Sequence, residues 1–447
     1  MKRLLEWIWL AAFIIILGFG LRSFILAHYE SQWESWRELP WARKCQPIVL
    51  AAKSFFYNRF PPRINNRAYA QTDALALRRS VQESADWLLS VQEPSGHFKY
   101  WYDPVSNQFS PSSDDSFHRQ AGAGYGLALA YRMTGDRRYL EGARQSVWYL
   151  LRYKKEVNSD KSYFLFNNRA DLGGASIPMF TMLEIRELTG TPEYDGLLRR
   201  LANFILFLQG KYGTGQFKST YYYDGNYELE KKLGWESDLY PGEAMLALAG
   251  MYDGFKESRY RDSLDRALHF YSDSGYSKHR AFLPWTIMAF TSLYRQTGEK
   301  RYADYVLHLA DYLLTDQNLD ERDEVFGSFH AFPSISTASY LEGLADAIQL
   351  VKALGDMRRE KLYVQRALIG FRWILSLQYK PDEIKQYEVS HRSSGGFRGS
   401  LTDPCIRIDY NGHAISALTR AMRHVFQQRP AVERNASLDK AAPLTVQ

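Results

Sequence analysis

Four stretches of this chain end in nearly the same way: Trp87-Leu88-Leu89-Ser90-Val91-Gln92, Phe204-Ile205-Leu206-Phe207-Leu208-Gln209, Tyr312-Leu313-Leu314-Thr315-Asp316-Gln317 and Trp373-Ile374-Leu375-Ser376-Leu377-Gln378. In three of them a glycine and an aromatic follow, as Gly96-His97-Phe98, Gly215-Gln216-Phe217 and Gly396-Phe397. Repeated units of this kind bury their apolar faces only against one another, so the repeat dictates the architecture. A second recurring element is a short polar turn: Thr134-Gly135-Asp136-Arg137-Arg138-Tyr139, Thr189-Gly190-Thr191-Pro192-Glu193-Tyr194, Glu257-Ser258-Arg259-Tyr260 and Thr297-Gly298-Glu299-Lys300-Arg301-Tyr302. Glycine just past a helix end, followed by a polar start, reads as a C-cap and then an N-cap.

Helices placed between these marks number twelve, in six pairs. The first members are predicted over 76–92, 137–153, 193–209, 257–274, 300–316 and 360–378, and the second over 118–133, 174–189, 242–254, 284–297, 337–353 and 412–427. Small residues crowd the second members, as in Ala121-Gly122-Ala123-Gly124 and Gly173-Gly174-Ala175, and small residues permit close helix approach. The second members are therefore expected to form an inner ring and the first members an outer one, an all-α (α/α)6 toroid of six helical hairpins. The outer-to-inner loops are long (93–117, 154–173, 210–241, 318–336 and 379–411), with 275–283 the short exception, and long loops in a compact domain usually carry function. They all reach the end where the inner helices begin, which is expected to be an open funnel floored by helix amino termini, favourable to anionic groups.

The 447 residues alone allow three domains or one repetitive one, and the repeats favour a single toroid over 76–427 with a polar tail at 428–447. Charged residues are 24% and hydrophobic residues 45%, enough to bury a large core. A net charge of +6 over this length falls short of the clustered basic face that nucleic acid requires. The two cysteines, Cys45 and Cys405, cannot supply a four-thiolate zinc site. No metal or cofactor is expected. Outside the cytoplasm Cys45 and Cys405 can pair with each other.

The six pairs, the aromatic-Leu-Leu-x-x-Gln endings and the Thr-Gly-Asp-x-Arg-Tyr turns resemble the six-hairpin glycosidase-like superfamily across residues 76–427. That resemblance implies a toroid shared by glycoside hydrolases, unsaturated glucuronyl hydrolases, sugar epimerases and some polysaccharide lyases. It names a fold more than a chemistry.

Glycoside hydrolysis needs two carboxyl groups, one to donate a proton and one to act as base or nucleophile. Asp114 and Asp115 precede the first inner helix and lead into His118-Arg119-Gln120; Glu236, Asp238 and Glu243 bracket Tyr240-Pro241-Gly242; Asp409-Tyr410-Asn411-Gly412-His413 opens the last inner helix. An aspartate before a helix also serves as an N-cap, which is the structural alternative for each. Glu243 is expected to be the acid, because packing in the first turn of an inner helix would raise its pKa. Asp115 or Asp409 would be the base or nucleophile. Six of the ten histidines, His97, His118, His279, His330, His391 and His413, lie in the long loops or at inner-helix starts. Epimerases and lyases of this fold often use His or Tyr for proton abstraction, so His118, His413 and Tyr410 support that second reading. Trp101, Tyr223, Trp235, Tyr240 and Trp285 also fall on the funnel side, where flat rings can stack on sugars, and Asp114, Arg119, Asp238 and His330 complete the expected substrate contacts.

At the amino terminus, Lys2 and Arg3 precede an apolar run over 4–21 and a second short run over 23–27. This reads as a transmembrane signal-anchor (1–27), with a cleaved signal peptide as the alternative, followed by a strap or linker (28–75). The expectation is a membrane-anchored, extracytoplasmic glycan-processing enzyme, first a glycoside hydrolase on a cell-surface or exported polysaccharide. The alternatives are an epimerase or lyase, or a non-catalytic glycan-binding subunit of a polysaccharide synthesis or export complex.

Overall fold

The computed structural model describes residues 72–104, 106–223, 236–329, 333–381, 384, 391–427 and 432. The chain divides into two compact units, Met1–Arg63 and Ile64–Gln447, and every described residue belongs to the second. The expected anchor, most of the strap, nearly all of the tail, Cys45, Trp235 and His330 lie outside the described residues. Among those described, no helix is long and apolar enough to cross a membrane.

Among the described residues, twelve long α-helices make up the body of the second unit. The outer ones are α1 (Ala74–Val91), α3 (Arg137–Leu151), α5 (Asp195–Gly210), α7 (Ser258–Asp273), α9 (Lys300–Leu313) and α11 (Met357–Ser376). The inner ones are α2 (Phe117–Thr134), α4 (Leu172–Thr189), α6 (Tyr240–Phe255), α8 (Leu283–Thr297), α10 (Thr337–Leu354) and α12 (Ile408–His424). Each inner helix packs on the next, and α12 packs back on α2, so the inner ring is closed. Glycines set its spacing. A Cβ on Gly126 of α2 would stand 3.0 Å from Gly412 Cα of α12, and one on Gly343 of α10 would stand 2.8 Å from Pro284 Cα of α8. Most of α12 was legible, but its start lies four residues earlier than the spacing predicts, because Arg407 and not Asp409 is the N-cap.

The repeated glutamine proves to be a staple. Gln92 Nε2 donates to Gly142 O of α3 (2.9 Å), Gln209 Nε2 to Ser263 O of α7 (2.9 Å), Gln317 Nε2 to Arg366 O of α11 (2.9 Å) and Gln378 Nε2 to Ser80 O of α1 (3.0 Å). Each also donates to the carbonyl of a loop glycine: Gly96, Gly215, Gly327 and Gly395. The repeat ending at Gln317 therefore has its glycine too, Gly327, and in the last repeat Gly395, not Gly396, fills the role. All four hold positive φ, and a Cβ on Gly215 would lie 2.2 Å from Arg266 O of the neighbouring outer helix, so only glycine fits. Gln209→Ala would strand two backbone carbonyls and is expected to cost about 2–4 kcal/mol. Denaturant unfolding measures this; a loss below about 1 kcal/mol would mean that water replaces the staple.

The long loops stiffen into short strands that a purely helical reading lacks. Strands β1 (Trp101–Asp103) and β2 (Gln108–Phe109) form a hairpin in the first long loop, and β3 (Lys154–Asn158) and β4 (Lys161–Phe164) form one in the second. Strand β5 (Ile406–Arg407), from the last long loop, pairs antiparallel with β1 in the register Trp101↔Arg407 and Tyr102↔Ile406. It thereby ties the last hairpin to the first.

Candidate active site

The inner helices all start at the end carrying the long loops. Along α2, His118, Gly122 and Tyr125 follow one another at helical spacing, and all keep some solvent exposure where the flanking residues are mostly buried. A Cβ on Gly122 would meet nothing within 4 Å. This stripe faces open space inside the ring. On the adjoining helix α12, His413 and Arg420 are likewise partly exposed, 33% and 16%.

Two histidines are each backed by a buried carboxylate. His118 Nε2 lies 2.8 Å from Asp171 Oδ1, and its ring stacks on Tyr240, 5.4 Å between centroids with planes 7° apart. Asp171 also caps α4 by accepting from Gly174 N (2.7 Å), and Arg169 Nε stands 2.7 Å from its Oδ2. Burial alone would raise this carboxyl, but His118 and Arg169 hold it down at about 2. His413 Nδ1 lies 2.8 Å from Oε1 of Glu342, which is 1% exposed. Burial pushes the Glu342 carboxyl up, with His413 opposing. Burial would lower His413, yet the charges of Glu342 and Asp409 carry it above the ordinary histidine value. The remaining nitrogens, His118 Nδ1 and His413 Nε2, have no hydrogen-bond partner among the described residues. Each histidine is thus oriented by a carboxylate and presents one nitrogen for chemistry.

Because the Asp171 pKa is depressed, its contribution is fully present above the ordinary carboxylate range and is lost as pH falls toward about 2. Wild type is expected to lose about 2 kcal/mol of stability over that window, and Asp171→Asn to show a flatter acid limb. Denaturant unfolding at about pH 5 and about pH 2.5 measures it. Equal acid losses in both proteins would remove Asp171 from this role.

Two of the three carboxylates expected to do hydrolysis, Asp409 and Asp115, carry several hydrogen-bond partners. Asp409 accepts from Arg407 Nε (2.9 Å), Arg407 Nη2 (2.7 Å) and Arg119 Nε (3.2 Å). Burial would raise it, but the two guanidinium groups hold it far below the carboxylate range and make it a weak base. Asp115 accepts from Gln120 Nε2 (2.7 Å), Ser116 N (2.8 Å) and the Tyr149 hydroxyl of outer helix α3 (3.1 Å), with His97 Nε2 at 3.2 Å. Against the upward push of burial, His97 and Gln120 lower it. Glu243 is 2% exposed in the first turn of α6, where the small Gly173 of α4 leaves room for it: a Cβ there would lie 2.9 Å from Glu243 Oε2.

Trp285 is 7% exposed, stacks on Phe180 (5.5 Å, 20°) and tilts toward His413 (5.8 Å). Trp101 Nε1 donates to Asp114 Oδ2 at 2.5 Å at the rim. Tyr410 lies under Arg407, which is 4.6 Å from its ring centroid. Asp238 pairs with His279 at 2.8 Å and Tyr223 is 42% exposed; the structure records no contact of either with the two dyads. Among the described residues no group of three or more His, Cys, Asp or Glu is placed to hold a metal. Asp171, Glu342 and Arg407 were not singled out from sequence. Asp171 directly precedes Leu172-Gly173-Gly174, the same sign that drew attention to Asp115 and Asp409, and Glu342 is a lone acid in the apolar run Tyr340–Leu344.

The closed ring of six helical hairpins is the (α/α)6 toroid that the sequence repeats predict. No protein-family model matches the chain, and no curated protein matches it in sequence. The likeness is three-dimensional. The structure is similar to that of a D-mannose isomerase (TM-score 0.57, 12% identity, 78% of this chain and 97% of that one). It is also similar to cellobiose 2-epimerase from Bacillus thermoamylovorans B4167 (TM-score 0.56, 12% identity, 77% and 98%). A third is an α-1,6-mannanase of Salegentibacter sp. HEL1_6, an inactive variant with two adjacent aspartates replaced by alanine, in complex with α-1,6-mannotetrose (TM-score 0.52, 10% identity, 77% and 98%).

Proposed function

We propose that this protein is a carbohydrate-active enzyme that moves a proton at a sugar carbon next to a carbonyl or carboxylate group, as an epimerase or isomerase. The observation that carries this reading is the His413–Glu342 dyad, whose outward nitrogen stands in the ring cavity with Trp285 beside it. His413 takes the carbon-bound proton, the electron pair moves into an enediolate, and a proton returns to the carbon to complete the change. His118, oriented by Asp171 and Tyr240, is the second acid–base group. A D-mannose isomerase and a cellobiose 2-epimerase on the same fold agree with this chemistry. The test is solvent exchange: D-mannose, cellobiose and α-1,6-mannotetrose are incubated with the protein in D2O and followed by NMR. Deuterium on a ring carbon without new reducing ends is the expected result. New reducing ends without deuterium would overturn it.

The second reading, a two-carboxylate glycoside hydrolase, is favoured by the adjacent pair Asp114-Asp115 at the rim, since the mannanase was inactivated by changing two adjacent aspartates. Glu243 would then be the acid and Asp115 the base. Whichever chemistry holds, the amino-terminal run is proposed to tether the enzyme on the extracytoplasmic face, where its substrate would be a surface or exported polysaccharide.

A further inference from the structure

The ring cavity has a bottom, and its residues differ from those at the mouth. Tyr125 lies eight residues along α2 from Phe117, about 12 Å below the mouth at 1.5 Å per residue. Its hydroxyl accepts from Arg420 Nη2 (3.1 Å), and Arg420 Nη1 reaches both oxygens of Asp346 on α10 at 2.7 Å. These contacts link α2, α12 and α10 at one level. Burial pushes the Tyr125 hydroxyl up to about 12, yet the side chain keeps a solvent-accessible face, as a group at the base of a narrow hollow does. Beyond Tyr125, residues 126–130 of α2 are all buried. The packing beside it is aromatic: Phe180 tilts on Tyr125 at 5.6 Å and stacks on Trp285 at 5.5 Å, each ring keeping a small exposed edge of 5% and 7%. The floor is polar, for Tyr125 and Arg420 meet there and Arg420 is held in turn by Asp346.

We infer that the cavity ends in a blind subsite, walled by Phe180 and Trp285 and floored by Tyr125 and Arg420, that takes the terminal unit of a saccharide. Flat aromatic walls suit the faces of a sugar ring, while a floor with donors and acceptors suits its outermost hydroxyls, directly or through one ordered water. A chain running across the ring cannot reach this floor with an internal unit; a chain end inserted along the axis can. The substrate class is thus a free sugar or a chain end, and Tyr125 is a specificity-determining residue. This rests on the saccharide reading of the cavity but not on the reaction assigned to it.

Saturation-transfer NMR on the intact protein with D-mannose, cellobiose and α-1,6-mannotetrose tests this. Saturation should concentrate on one terminal unit of the tetrasaccharide. Tyr125→Phe keeps the ring packed on Phe180 and removes only the hydroxyl, so it should fold and bind about tenfold more weakly. Even saturation along the tetrasaccharide, unchanged affinity in Tyr125→Phe, or failure of all three probes to bind would overturn the inference. Terminal saturation with no deuterium uptake would sink the proposed reaction and leave the subsite standing.

Discussion

His413→Asn is expected to lower carbon-bound proton exchange by roughly a thousandfold while leaving saccharide binding within a fewfold of wild type, since an acid–base group contributes about 10²–10⁴ to rate and little to ground-state affinity. The pH profile adds a sign. Glu342 and Asp409 hold the His413 pKa above its ordinary value of 6.5, so the neutral, proton-accepting form grows in only as pH climbs beyond that value. Activity should rise on that limb. In Glu342→Gln the charge that lifts His413 is gone, so the limb should move to lower pH, with a reduced plateau because the ring loses its carboxylate partner. Glu342 is a positioning residue, and this displacement is a readout that a packing role would not produce. An unmoved limb in Glu342→Gln, or full exchange in His413→Asn, would take the dyad out of the mechanism.

The second large effect is expected from Gly122→Leu. Most glycines of the inner ring tolerate no side chain because a neighbouring helix fills the space, as at Gly126, Gly242 and Gly343. Gly122 is the opposite case: its Cβ position is open, and His118 and Tyr125 lie on the same face of α2. A leucine there should fold at least as well as wild type, because leucine is the better helix former by about 1 kcal/mol. Its side chain would occupy the hollow between the mouth and the floor. Binding of all three saccharides and proton exchange should both fall below detection, while the thermal midpoint holds or rises. Retained binding would show that sugars do not enter along the axis of the ring.

The architecture was legible because its signals are local and repeated. A glutamine at the end of an outer helix and a glycine a few residues on can be seen in one dimension, and Gln92, Gln209, Gln317 and Gln378 all carry the glutamine, although Gly327 was missed and Gly395 rather than Gly396 serves the last. The site was legible only in part. His118, His413, Tyr240 and Trp285 were singled out because they stand at inner-helix starts. What each one touches was not visible: Asp409 reads as a lone acid until Arg119, 290 residues away, is seen to lie against it. Glu342 was passed over because an acid inside an apolar helix gives no hint of its partner, which is 71 residues further along the chain. Pairings between facing inner helices, whether consecutive or joined by ring closure, leave no periodic trace in the sequence.

That closure has a consequence for how the molecule comes apart. In an open stack of helical repeats, a terminal unit has one neighbour and frays independently. Here Gln378 of the last outer helix is stapled to Ser80 of the first, β5 lies along β1, and α12 packs on α2, so each hairpin has two neighbours. Removing any hairpin opens two interfaces at once. Unfolding of the ring should therefore be a single all-or-none event, with the slowest-exchanging amides spread around all six inner helices rather than gathered at the middle of the chain.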